Sequence, residues 1–334
     1  LSFSSLAQPD GEISMKPSVF VTRAIPEAGL ARVREVCDVD LWPGEMPPPY
    51  EELVAHTRGK DGLLCLLTDR IDAALMDAGL PTLKVISQMA VGYDNIQAAE
   101  AHKRRIALGN TPGVLTEATA DLAFALLLAS ARRIVEGVDY IRQGQWVTWH
   151  PTTLLGGDLS GATLGIIGLG RIGQAVVRRA SGFNMRIIAH SPRANPADAA
   201  TQGVELLSMD DLLRRADYIS LHVPLNASTR HLIGARELSL MKDGSTLINT
   251  TRGPVVDQAA LVAALQTGRI RAALDVTDPE PLPADHPLMS LPNAIVVPHI
   301  GSASRWTRDQ MALMAAENLI AGVTGQPLPT AVRP

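Results

Sequence analysis

The sequence predicts an α/β protein made of two doubly wound parallel-sheet domains. Three observations lead there. From Ser18 onward, short aliphatic runs alternate with amphipathic stretches, an order that puts helices on both faces of a parallel sheet. The 334 residues correspond to roughly two domains at ~100–200 residues each. A strand over residues 163–167 opens into Gly168-Leu-Gly-Arg-Ile-Gly173, the dinucleotide fingerprint, inside a βαβ unit.

Taken in order, the first series reads as strands over 19–21, 63–67, 83–87 and 106–108 and helices over 27–36, 50–56, 71–78 and 96–104. Pro47-Pro48-Pro49 forms a rigid connector. After Asn110-Thr-Pro-Gly113 comes one helical stretch from Thr116 to about Gln143. Its first half is apolar nearly all round (Leu122, Phe124, Leu126, Leu127, Leu128), which predicts burial on all sides, between domains or between subunits. Gly156-Gly157 leads into the second series, with strands over 163–167, 185–189, 217–221, 245–249, 270–274 and 294–297. A last helix over about 304–323 follows the final strand, and its position suggests a return to the first unit.

With 46% apolar residues there is material for two cores. The net charge of −4 comes from mixed signs without a dense Lys/Arg run, which argues against nucleic acid or an anionic membrane as the main partner. No segment has the ~18 consecutive apolar residues of a membrane span. Two cysteines, Cys37 and Cys65, cannot form a disulfide framework and fit a reducing cytoplasm. Residues 1–14 lack the basic start and apolar core of a secretory signal. Met15-Lys16-Pro17, just before the first strand, suggests that leading residues precede the native start. No Cys/His cluster has metal-ligand spacing, and no G-x-S-x-G elbow or Walker-type Gly-Lys-Ser/Thr occurs.

Three strands of the second series run out into Arg252, Asp275 and His299. In an open α/β sheet, ligands bind outside the carboxyl ends of the strands, so these residues should face one crevice. Arg252 can grip a carboxylate with both arms of its fork and polarise the neighbouring carbonyl. Gly253-Pro254 immediately after it fixes its direction. His299 is suited to deliver a proton near neutral pH, and Glu280, in the turn-rich stretch 278–283, is a carboxylate that would stabilise its imidazolium. In the fingerprint, Gly168 permits the tight turn, Gly170 lets the backbone approach a pyrophosphate, and Gly173 lets helix pack on strand. The following strand ends in His190-Ser191-Pro192-Arg193 where an acidic residue would hold a free ribose. Ser191 and Arg193 suit a 2′-phosphate instead, so NADP(H) is preferred and NAD(H) comes second. A dinucleotide, an arginine and a histidine in one cleft suggest hydride transfer to an oxo-acid.

With these motifs in place, the chain resembles the D-isomer-specific 2-hydroxyacid dehydrogenases over almost all of residues 17–330. The resemblance is carried by Val91-Gly92-Tyr93-Asp94-Asn95, Thr111–Thr116, Gly168–Gly173, His222-Val223-Pro224-Leu225, Asn249–Gly253, Leu274-Asp275-Val276, Glu280-Pro281-Leu282 and Pro298–Ser302. Leu64–Leu67, Lys84–Ser87, Met89, Asp275–Thr277 and Pro281–Pro283 look most like the glyoxylate/hydroxypyruvate reductase branch. The resemblance implies two Rossmann-like domains with a cleft between them: a discontinuous substrate-binding domain (15–112 and 303–334) and a dinucleotide-binding domain (113–302). It implies NADPH-preferring reduction of glyoxylate to glycolate and hydroxypyruvate to D-glycerate. Arg252, Glu280 and His299 would be the catalytic residues, and Val91, Gly92, Arg252, His299, Ser302 and Trp149 would meet the substrate. Thr116, Gly168, Gly170, Arg171, Ile172, Gly173, Ser191, Arg193, Pro224, Thr229, Thr250, Asp275 and Gly301 would meet the cofactor. The helix from Thr116 would serve a hinge and a homodimer interface, with Trp149 lent across the dimer. Closure of the domains would exclude water.

Gln88 stands where phosphoglycerate-type relatives commonly carry Arg, which disfavours a phosphorylated substrate. Pro192 occupies a place where the branch often has a second basic residue, which weakens the 2′-phosphate preference without reversing it. Two rival readings are a dehydrogenase for bulkier 2-keto acids and a dinucleotide-sensing, corepressor-like interaction protein. The absence of long disordered or basic tails counts against the second.

Overall fold

The structure, a computed structural model, describes residues 16–333. The expectations for residues 1–14 lie outside the described residues. The chain divides into two compact units, one of residues 1–111 and 309–334 and the other of residues 112–308.

The first unit carries β1 (Ser18–Val21), α1 (Glu27–Val36), β2 (Asp38–Leu41), α2 (Tyr50–Thr57), β3 (Gly62–Cys65), α3 (Ala73–Gly79), β4 (Val85–Gln88), α4 (Ala98–Lys103) and β5 (Ala107–Gly109). Its five strands are all parallel, in the order β2-β1-β3-β4-β5. Strands β3 and β4 are buried along their whole length, as expected of central strands covered on both faces. β2 is a strand the sequence pattern did not announce. Its Asp38-Val39-Asp40-Leu41 run is an exposed-to-half-buried edge strand, so it lacks the continuous apolar signature. Asp72 caps α3 by accepting from the Leu75 N–H at 3.1 Å, so the helix starts two residues later than its apolar pattern.

The last helix returns to this unit. Ala312 lies so close to Gly29 of α1 that a Cβ on the glycine would stand 2.5 Å from the Ala312 carbonyl. Ser87 Oγ of β4 donates to the Ala315 carbonyl at 2.7 Å.

The second unit begins with α5 (Thr116–Ala131) and α6 (Ile134–Arg142) and continues through β6 (Thr163–Ile167), α7 (Arg171–Ser181), β7 (Arg186–His190), α8 (Pro196–Thr201), β8 (Val204–Leu206), α9 (Met209–Arg215) and β9 (Tyr218–Leu221). It ends with α10 (Ala235–Leu240), β10 (Thr246–Asn249), α11 (Gln258–Gln266), β11 (Arg271–Leu274) and β12 (Ala294–Val296) before α12 (Arg305–Val323) leaves it. Seven parallel strands lie in the order β12-β11-β10-β9-β6-β7-β8. The order reverses between β6 and β9, and that switch point is where an α/β sheet leaves a crevice for ligands.

The single helix expected from Thr116 to about Gln143 is two helices. The break falls at Arg133, whose φ of +51° ends helical geometry. The returning Gly156-Gly157 segment occupies the end of α5: Gly157 N–H donates to the Ala131 carbonyl at 2.9 Å. A Cβ on Gly156 would stand 2.1 Å from that same oxygen. Ala120, Ala123, Phe124 and Leu127 of α5 pack with Ile166, Ile248 and Ala273 in its own unit, whereas Leu122 and Leu128 are half-buried and Ala125 is exposed. Helix α6 buries no residue, and Ile134, Val138 and Ile141 form an apolar stripe on it. Among the described residues no helix is long and apolar enough to cross a membrane.

Candidate active site

Three adjacent parallel strands, β10, β11 and β12, bring Arg252, Asp275 and His299 to one end of the sheet. Local hydrogen bonds then fix each side chain. At the end of β10, the buried Asn249 turns its side chain back onto the loop that follows. Its Oδ1 accepts from Thr251 N–H at 3.0 Å and Thr251 Oγ1 at 2.7 Å, and its Nδ2 donates to the Arg252 carbonyl at 3.0 Å. Arg252 Nη1 donates to the Thr251 carbonyl at 2.9 Å, and the side chain is half-buried. Gly253 presses backbone to backbone on the next loop, where a Cβ would stand 1.9 Å from the Thr277 carbonyl.

Asp275 is 1% exposed and serves as the anchor of the His299 loop. Its Oδ1 accepts from Ile300 N–H at 2.6 Å, its Oδ2 from Gly301 N–H at 2.8 Å, and its carbonyl from His299 N–H at 3.0 Å. Burial pushes its carboxyl above the usual range, opposed by those backbone N–H groups and by His299. His299 itself has φ +53°, a left-handed conformation uncommon outside glycine and asparagine. Its Nδ1 lies 2.5 Å from Glu280 Oε1, so the two residues singled out across the turn-rich stretch do meet. Nε2 has no hydrogen-bond partner among the described residues and is the nitrogen left for chemistry.

At the switch point, Gly168 has φ +97°, and a Cβ there would stand 2.5 Å from the His222 carbonyl. A Cβ on Gly173 would stand 2.2 Å from the Gly168 carbonyl, so helix α7 seats closely on the strand. Gly170 differs: nothing lies within 4 Å of its Cβ position. That leaves an open cradle before Arg171 and Ile172, at a helix start without a side-chain cap. The residues fit a dinucleotide pyrophosphate. In register, Ile167 of β6 pairs with His190 of β7, so the Ser191–Arg193 loop leaves the sheet beside this turn, with Ser191 half-buried and Arg193 exposed. Thr250 Oγ1 is buried at the end of β10 with no partner among the described residues. Thr229 is committed within its own loop, donating to the Pro224 carbonyl at 2.6 Å. Thr116 opens α5, and Ser302 follows Gly301, both half-buried.

Val91 and Gly92 belong to the first unit, in the loop after β4. Trp149 stands 78% exposed in the loop after α6, outside the strand-end cluster. A cavity of about 450 Å³ opens between α6 and the amino-terminal starts of β11 and β12, lined by Arg133, Glu136 and Arg271. It lies at the opposite end of the strands from His299 and takes no part in this chemistry.

Two residues escaped sequence reasoning. Asn249 acts only through the hydrogen bonds described above. His222, at the end of β9, bonds Ser220 Oγ through Nε2 at 2.8 Å, while its buried Nδ1 has no partner among the described residues. Burial pushes its pKa down to about 3, so its ring is neutral. Both stand in motifs that carry the family resemblance, but the sequence assigned neither a role of its own.

The family model described as "D-isomer specific 2-hydroxyacid dehydrogenase, NAD binding domain" matches residues 124–301. A glyoxylate reductase of Korarchaeum cryptofilum is 51% identical over 320 residues, 95% of this chain and 96% of that protein. A crystal structure of a Thermus thermophilus protein superposes with a TM-score of 0.89 at 49% identity, covering 95% of this chain and 100% of that one. A third relative is an NADPH-dependent glyoxylate/hydroxypyruvate reductase of Sinorhizobium meliloti, solved with NADP and malonate. It gives a TM-score of 0.85 at 34% identity, over 95% of this chain and 97% of that one. The protein is an oxidoreductase with a nicotinamide dinucleotide as cofactor. On the extent of these matches, the chain belongs to the D-isomer specific 2-hydroxyacid dehydrogenase family.

Proposed function

We propose that the protein reduces glyoxylate to glycolate and hydroxypyruvate to D-glycerate, with NADPH preferred over NADH. The observation that carries this reading is the His299–Glu280 pair at 2.5 Å, set at the end of β12 two strands from Arg252. A reduced nicotinamide dinucleotide, its pyrophosphate held at the Gly168–Gly173 turn, would supply a hydride to the keto carbon when bound. With Nδ1 given to Glu280, His299 donates its Nε2 proton to the carbonyl oxygen as that oxygen becomes an alkoxide. Glu280 orients the ring and stabilises its charged form. Arg252 receives the substrate carboxylate and stabilises charge growing on the oxygen, a preorganised electrostatic role. By the family resemblance, the loop at Val91-Gly92 of the first unit also offers backbone N–H groups to the substrate carboxylate.

Arg193 and Ser191, in a loop without an acidic residue, support the NADPH preference. The names of the Korarchaeum and Sinorhizobium relatives support glyoxylate, and the latter's also supports hydroxypyruvate and NADPH. Both cysteines are buried free thiols, which suits a reducing cytoplasm. The α6 stripe, together with the exposed Trp146 (61%) and Trp149 (78%) in the loop after it, offers apolar surface suited to a second copy of the chain. In a dimer, Trp149 would then line the neighbour's substrate pocket. Sedimentation at a single-chain mass would contradict that assembly.

The deciding experiment follows NADPH oxidation with glyoxylate, hydroxypyruvate, pyruvate and a branched 2-keto acid. The reading expects glyoxylate and hydroxypyruvate to give the highest kcat/KM. A preference for the branched acid would replace it with the bulkier-substrate alternative.

A further inference from the structure

We propose that Gln88 and Asn110 are positioning residues that aim the Val91–Tyr93 backbone at the substrate carboxylate. The inference rests on the reading above, in which that loop meets the carboxylate, and assigns the cause of its shape.

The loop leaves β4 with both of its critical carbonyls already taken. Asn110, just past β5, donates from Nδ2 to the Val91 carbonyl at 2.9 Å. Gln88, the fully buried last residue of β4, donates from Nε2 to the Gly92 carbonyl at 3.2 Å. In a trans peptide, the carbonyl and the following N–H point in opposite directions. Holding Val91 O therefore directs the Gly92 N–H away from Asn110, and holding Gly92 O directs the Tyr93 N–H away from Gln88. Neither N–H has an acceptor among the described residues. Two successive open N–H groups in a turn make a receiver for an anion.

Each brace is itself held. Gln88 Oε1 accepts from Cys65 Sγ at 3.1 Å and its Nε2 also donates to Asn95 Oδ1 at 2.8 Å, so the amide cannot turn over without losing these bonds. Asn95 Nδ2 in turn donates to the Leu66 and Asp69 carbonyls at 3.1 and 2.8 Å. On the other side, the Asn110 carbonyl accepts from Asn318 Nδ2 of α12 at 3.0 Å and from Thr330 Oγ1 at 2.6 Å. Asn318 fits there because residue 109 is glycine: a Cβ would stand 2.7 Å from its amide carbon. The carboxyl-terminal helix thus braces a loop more than two hundred positions earlier in the chain.

The test uses Gln88→Met, which keeps volume but removes the donors, and Asn110→Ala, at a half-buried site with less to disturb. For each, KM and kcat for glyoxylate, inhibition by oxalate as a carboxylate probe, NADPH affinity and Tm are measured. The proposal expects KM and the oxalate inhibition constant to rise about tenfold together, the effect of weakening one hydrogen bond to a charge. It expects kcat and NADPH affinity to stay close to the parent. A purely structural role would lower Tm and leave KM in place, and that result in either folded variant overturns the proposal. Should Gln88→Met fail to fold, Asn110→Ala decides alone. A parent that turns over no 2-keto acid overturns the earlier reading and this one with it, whereas an active parent with unmoved variants overturns only the bracing.

Discussion

At the scale of single residues, the site is governed by what each polar group already holds. Arg252 reaches its position because Asn249 closes the loop before it and Gly253 seats the loop after it. Arg252→Lys keeps the charge but loses the planar fork, so kcat/KM for glyoxylate should fall about a hundredfold or more with NADPH affinity nearly unchanged. Near-parent turnover would remove Arg252 from the substrate. Glu280→Gln keeps the size of the partner but takes away its charge. Reduction of glyoxylate should then slow about tenfold or more with NADPH affinity unchanged, because the ring loses the carboxylate that orients it as it gives up its proton. An unmoved kcat would show that the 2.5 Å contact has no bearing on proton delivery. Arg252 and His299 were legible as candidates in the sequence because strand ends are chemically informative places, and Glu280 as a carboxylate in the turn-rich stretch before His299. Asn249, Gln88 and Asn110 were not legible as positioning residues, because an amide's role depends on which carbonyls lie within about 3 Å of it, and spacing does not reveal that.

Among the elements, the β6–α7 turn and the loop after β7 define the cofactor end. Fingerprint glycines announced the first, and the structure separates their duties: Gly168 and Gly173 are closed by backbone, Gly170 is open. The second loop carries the cofactor preference. Arg193→Ala should lower kcat/KM with NADPH ten- to a hundredfold and spare NADH, since a charged hydrogen bond contributes about 1.5–3 kcal/mol. Equal use of both cofactors by the parent would contradict the preference while leaving hydride transfer in place. The long apolar run from Thr116 was the least legible element. Periodicity could not show that Gly156-Gly157 returns to end α5 at Ala131. Edge strands β2 and β8 were missed for a different reason, since short strands at a sheet edge need no continuous apolar run.

For the whole molecule, two parallel sheets built from consecutive series of elements made most of the architecture readable, and even the return of α12 followed from its leftover position. What the pattern could not show was the cost of holding a half-buried histidine neutral just past the end of β9. His222 has its pKa lowered to about 3 by burial. Below its unfolded value near 6.5, the unfolded chain gains a proton that the folded chain refuses. Its contribution to stability is therefore complete above about pH 6.5 and is lost progressively as pH falls toward 3, the loss reaching roughly 2 kcal/mol at pH 5. Tm should drop between pH 7 and pH 5 more steeply in the parent than in His222→Gln, and parallel slopes would contradict this. The central claim concerns His299 as the proton donor, and one substitution tests it most directly. Asparagine tolerates the left-handed backbone at this position, so His299→Asn should keep the loop while removing the acid. With NADPH saturating, kcat/KM for glyoxylate should fall about a thousandfold in this variant, within the range for loss of a general acid, with NADPH binding intact. A folded His299→Asn enzyme that stays within about tenfold of the parent would contradict the account.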